Sequence, residues 1–65
     1  MIDEKLCSLI SDLDAIGEEL NSLIKEVEMD RSAISVHNYF RFFLASERIR
    51  ETIETLEGVV KETKV

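Results

Sequence analysis

Reactive side chains are few in this chain and far apart. His37 is the single histidine and Cys7 the single cysteine. Two side chains that grip one metal ion from a helix stand three or four residues apart. No His or Cys has that spacing from His37. A lone His near a helix start reads as surface or packing. A thiol nucleophile needs a base beside it, and none is signalled near Cys7. Cys7 reads instead as a small, partly buried hydrophobe, with a disulfide between two copies as the alternative. The carboxylates Glu18-Glu19 and Glu51, Glu54, Glu57 have the spacing of solvated helix faces. Bundles that hold metals through carboxylates use Glu-x-x-His pairs, which this sequence lacks. It also has no Gly-rich phosphate loop, nucleophile elbow or calcium loop. The expectation is a protein that is not an enzyme and takes no cofactor and no metal.

What remains is chemistry of recognition. Arg41, Arg48 and Arg50, with Arg31 upstream, form a basic cluster beside the aromatic residues Tyr39, Phe40, Phe42 and Phe43. Such a cluster could touch the phosphates of RNA or DNA. Two observations disfavour that. The net charge is -6, and Glu47 and Glu51 stand next to the arginines. The aromatics read mainly as core near a turn. Phe40 and Leu44 point away from the main apolar stripe and could receive another protein. The expected partner-binding residues are therefore Phe40, Arg41, Leu44 and Arg48.

The elements that must position these groups are helices. In 65 residues there are no prolines and only two glycines, too few turn residues for a sandwich or barrel. Leu, Ile, Val and Phe number 22, enough to drive folding. Ile2, Leu6, Leu9, Leu13, Ile16, Leu20, Leu23 and Val27 alternate spacings of four and three, so Leu, Ile or Val fills every a and d position of a heptad. Ile10 and Ile24 widen this stripe, as in a helix that belongs to a bundle. Tyr39, Phe42, Ser46, Ile49, Ile53, Leu56 and Val60 repeat in the same way. The first register carried forward falls on Asp30, Ile34, His37, Arg41 and Leu44, three of the five polar or charged, so the pattern breaks between Val27 and Tyr39. The expected elements are helix 1 at about 3–29, a turn at about 30–33 and helix 2 at about 33–63. Asp3 is a candidate cap for helix 1, and Asp30, Ser32 or Ser35 for helix 2. Residues 1–65 make one domain.

A two-helix hairpin covers only one side of each stripe. Domains this small need a disulfide, a metal or self-association, and the first two are missing. The expected fold is all-α: an antiparallel helical hairpin that homodimerises into a four-helix bundle. Its dimer core would be Leu6, Leu9, Leu13, Ile16, Leu20, Leu23, Val27, Tyr39, Phe42, Ile49, Ile53, Leu56 and Val60. Charge is uneven: residues 1–30 carry nine acids and two bases, residues 31–65 five acids and six bases. Pairing between helices is the plain reading, and docking of a partner the sharper one. Apolar runs are too short to span a membrane. The opening Met1-Ile2-Asp3-Glu4 lacks the features of a signal peptide, so a cytoplasmic protein is expected.

The hairpin length and two heptad helices resemble the Rop family of plasmid RNA-binding regulators, in architecture only. No residue-by-residue match accompanies the likeness, and the acidic first helix argues against RNA binding. The opening Met-Ile-Asp-Glu-Lys-Leu, the length and the Pro-free, Ile- and Glu-rich composition resemble a small hairpin adaptor of archaeal spindle-shaped viruses. That resemblance implies a dimeric four-helix bundle that bridges other macromolecules in the host cytoplasm. Asn38-Tyr39, Leu44, Glu47 and Ile49 are similar in spacing to the second helix of hairpin co-chaperones of type III secretion needles. The function expected is a dimeric adaptor or regulatory module that binds another protein. A Rop-like nucleic-acid binder and a co-chaperone that pairs with a different chain are the alternatives.

Overall fold

A computed structural model describes residues 2–30 and 32–63. Two helices, α1 (Ile2–Met29) and α2 (Val36–Thr63), pack antiparallel as a hairpin of 49 × 15 × 12 Å. Helix α1 begins one residue before the expected start. Asp3 therefore lies inside the first turn rather than capping it. With Glu4 it sets negative charge where the exposed N–H groups are positive.

The turn is built from side chains, since it contains neither Gly nor Pro. The Asp30 N–H donates to the carbonyls of Glu26 (3.1 Å) and Val27 (3.2 Å) and closes α1. The Asp30 carboxylate accepts the Ser32 hydroxyl at 2.6 Å and the Ser32 N–H at 3.3 Å, the local pattern by which Asx residues hold a turn. Ser35 then caps α2: its hydroxyl oxygen accepts the N–H of Asn38 at 3.2 Å, three residues on. That cap sets the start of α2 at Val36, three residues later than the start expected at 33.

The seam of the hairpin is formed on α1 by Leu6, Ile10, Leu13, Gly17, Leu20, Ile24 and Val27, all at least partly covered. On α2 it is formed by Tyr39, Phe42, Ser46, Ile49, Ile53, Leu56 and Val60. The α2 row is the one its periodicity predicts. The α1 row is shifted. Ile10, Gly17 and Ile24 take the places facing α2, and Leu9, Ile16 and Leu23 fall outside the seam. The apolar stripe of α1 is wider than one neighbouring helix, so α2 covers one edge of it and leaves the other. Gly17 faces Ile49; a methyl group added there would meet that side chain at 3.5 Å, an ordinary contact. Two polar links fix the level of the helices. Tyr39 donates its hydroxyl proton to Glu28 (2.8 Å), and Ser46 donates to Asn21 (2.9 Å).

Candidate interaction surfaces

Burial within the hairpin is slight. Ile24 and Val27 are the buried apolar side chains among the described residues. Ten large apolar residues among those described are exposed: Ile2, Leu9, Ile16, Leu23, Met29, Val36, Phe40, Phe43, Leu44 and Val59. Their positions on the helices sort most of them into two surfaces.

The first surface is a flat side of the hairpin. Ile2, Leu9, Ile16 and Leu23 stand seven residues apart, so they form one row along α1. Leu9, Ile16 and Leu23 are 54%, 50% and 41% exposed. On α2 the matching flank of the seam carries Ala45, Thr52 and Val59, again seven apart. Thr52 is suited to an apolar setting, because its hydroxyl proton goes to the carbonyl of Arg48 at 2.8 Å. The opposite side of the hairpin is different in kind. Its groove is lined by Asp14, Glu18, Asn21, Glu47, Arg50, Glu54 and Glu57, together with seam residues. Arg50 pairs with Glu47 there at 2.7 Å. The hairpin therefore has one apolar and one polar side.

The second surface lies on the outer face of α2 near the turn. Phe40 is 64% and Leu44 49% exposed, and they stand four residues apart, one above the other. Val36 continues the row toward the turn. Tyr39 organises the aromatic residues. Its ring meets Phe43 edge-on at 5.0 Å and Phe40 at 6.0 Å. Val27, Ile34, Ser35, Val36, Tyr39 and Phe40 enclose a shallow notch of about 180 Å³ at this end. The two residues read from the sequence as pointing off the seam, Phe40 and Leu44, are thus placed together at the surface. Arg41 and Arg48 lie beside them, on the edge between this outer face and the apolar side. Arg31 lies outside the described residues.

Of the residues expected in a dimer core, Leu6, Leu13, Leu20, Val27 and all six from α2 lie in the seam within one hairpin. Leu9, Ile16 and Leu23 are on the open apolar side. Ile10 and Ile24, the positions that widen the stripe, also lie in the seam of the hairpin. Cys7 is exposed, near Ile10, Glu57, Val60 and Lys61, away from the apolar side. His37 is exposed as well. Among the described residues no group of three or more His, Cys, Asp or Glu side chains could hold a metal ion. No described helix is long and apolar enough to cross a membrane. Comparison of the chain with family models, with curated proteins and with solved structures found no match.

Proposed function

We propose that this chain is a non-enzymatic interaction module: two hairpins associate into a four-helix bundle that binds another protein. One observation carries the reading. The hairpin buries Ile24 and Val27 and leaves ten large apolar side chains wet. By the scaling of surface with mass, a compact monomer of 7.5 kDa exposes roughly 4,200 Å². The hairpin exposes 5374 Å². The excess, about 1,200 Å², is more than the roughly 800 Å² that one partner covers in an ordinary protein interface.

In this reading the apolar side makes the bundle, and the outer face of α2 meets the partner protein. Phe40 and Leu44 are the apolar contacts, with Arg41 and Arg48 at their edge. Aromatic and Arg side chains in one exposed patch have the composition of binding hot spots. Nucleic acid is a poor match, because nine of the fourteen acids lie in residues 1–30 and would repel phosphate.

Light scattering behind a sizing column tests the assembly. The expected mass is twice 7.5 kDa and constant on dilution through the micromolar range. A monomer, or a polydisperse mixture, would favour the hairpin that awaits a different chain, as the co-chaperone likeness implies. Phe40→Ala tests the contact surface. Its expected effect on stability is under about 1 kcal/mol, as at a surface position. A loss of about 3–5 kcal/mol would place Phe40 in the core of the assembly. Retention on RNA or DNA columns that falls with salt would revive the nucleic-acid reading; none is expected.

A further inference from the structure

Charged residues border the apolar side in two rows. Outside the row of Leu9, Ile16 and Leu23, α1 carries Lys5, Asp12, Glu19 and Glu26, spaced by seven. Outside Ala45, Thr52 and Val59, α2 carries Arg41, Arg48, Thr55 and Glu62, also spaced by seven. The links of Glu28 to Tyr39 and Asn21 to Ser46 set the levels of the two helices. They bring Glu26 level with Arg41, Glu19 with Arg48, Asp12 with Thr55 and Lys5 with Glu62. The rows lie on opposite edges of the apolar side, so they do not meet within one hairpin. Among the described residues the ion pair found is Arg50 with Glu47, and neither Arg41 nor Arg48 pairs with a described carboxylate.

A second copy can cover the apolar side in two symmetric ways. With the turns at opposite ends, α1 lies along α1 of the partner. Lys5 then meets the partner's Glu26 and Arg41 the partner's Glu62, but Asp12 falls near the partner's Glu19, twice by the symmetry, and Arg48 meets Thr55. With the turns at the same end, α1 lies along α2 of the partner, and each edge residue meets the residue level with it. Glu26 then faces the partner's Arg41, Glu19 the partner's Arg48 and Lys5 the partner's Glu62. Every charged edge residue but Asp12, which meets Thr55, finds an opposite charge.

We infer that the apolar side is covered by a second copy whose turn lies at the same end, with α1 of each chain against α2 of the other. The inference rests on the proposed dimer and specifies its geometry. Arg41 and Arg48, at the edge of the outer face, then also pair across the rim between copies, and Phe40 and Leu44 remain the apolar contacts for an outside protein. Both copies present these two residues at one end of the bundle, so two partner molecules would be held side by side rather than at opposite ends. Edge pairs of this kind are solvent-exposed and individually weak. They choose the orientation, while the apolar side supplies the affinity.

The test is a charge swap between chains. Arg48→Glu alone sets a carboxylate against the partner's Glu19 at both symmetry-related places, and Glu19→Arg alone sets arginine against arginine. Each should raise the dimer dissociation constant by about tenfold. Mixed together, the two variants should form a heterodimer in preference to either homodimer, because every pair between them is then opposite in sign. No preference on mixing would overturn the inference. A second measurement needs no edge variant. A spin label at Ala33→Cys, in a chain carrying Cys7→Ser, reports the distance between the two turns. The expected separation is roughly 20–30 Å, set by the thickness of a four-helix bundle. A separation near the 49 Å length of the hairpin would overturn the orientation and leave the dimer standing. A monomeric mass would overturn both.

Discussion

Ser35 is the side chain that decides where α2 begins. Its hydroxyl oxygen satisfies the N–H of Asn38, one of the donors that a helix start leaves open. Ser35→Ala should lower stability by about 1 kcal/mol in urea unfolding, with no change in oligomeric mass. Gly58 is the opposite case. A methyl group there would meet nothing within 4 Å, and the residue is exposed inside α2. Gly58→Ala should therefore raise stability by about 0.5–1 kcal/mol, through the lower backbone entropy of the unfolded chain. A loss of stability at Gly58 would mean that the surface around it is covered in solution. The seam glycine, Gly17, is less free. Its added methyl would touch Ile49 at van der Waals distance, so packing against that side chain joins the backbone term.

The two helices depend on each other unequally along their length. Ile24 and Val27, close to the turn, are the buried pair, and Tyr39, linked to Glu28, lies on the same stretch. Toward the free ends the seam is held by half-covered Leu6, Ile10, Leu56 and Val60. Helix α1 carries no basic residue in its last turn, whereas α2 ends with Lys61 where the exposed carbonyls favour a cation. The turn end is thus the firm end of the hairpin. Ile24→Ala should cost about 2–4 kcal/mol, and amide exchange should quicken across both helices at once rather than in α1 alone. Exchange that quickens only in α1 would show that α2 is held by contacts outside this seam. Leu20→Asp, a charge in the middle of the seam, should remove most of the helicity.

The proposed assembly rests on how little one hairpin covers. A pair of helices with two buried side chains has a small margin over chain entropy, so folding and association should occur together. The midpoint of thermal unfolding should rise with protein concentration; a midpoint independent of concentration would describe a hairpin stable by itself. The two sides of the hairpin should also respond differently to charge. Ile16→Asp introduces a carboxylate on the apolar side, at a residue 50% exposed in the hairpin, and should abolish the dimer. Glu18→Lys, on the polar groove, should leave the dimer mass unchanged. Loss of the dimer in Glu18→Lys but not in Ile16→Asp would exchange the roles of the two sides.

Two helices, their approximate ends and the break between Val27 and Tyr39 were legible in the sequence alone. Heptad spacing has one helical solution, and the phase slip cannot be carried through one rod. The α2 row from Tyr39 to Val60 was legible for the same reason, since only that row keeps the four-and-three spacing along the whole helix, while Val36, Phe40, Phe43 and Leu44 crowd its first half. The α1 row was not. Leu9, Ile16 and Leu23 satisfy the heptad as well as Ile10 and Ile24 do, and a periodic pattern does not say which edge of a wide stripe a neighbour will cover. The cap was ambiguous too, because Asp30, Ser32 and Ser35 can all accept an N–H. Only the path of the turn assigned Asp30 and Ser32 to the bend and Ser35 to the helix. Phe40 and Leu44 could be read as lying off the seam, and the structure adds that they stay at the surface. The sequence determined the helices, because their periodicity is local. Only the tertiary structure decided which apolar side chains α2 covers and which stay exposed, because that choice depends on the relative rotation of two packed helices.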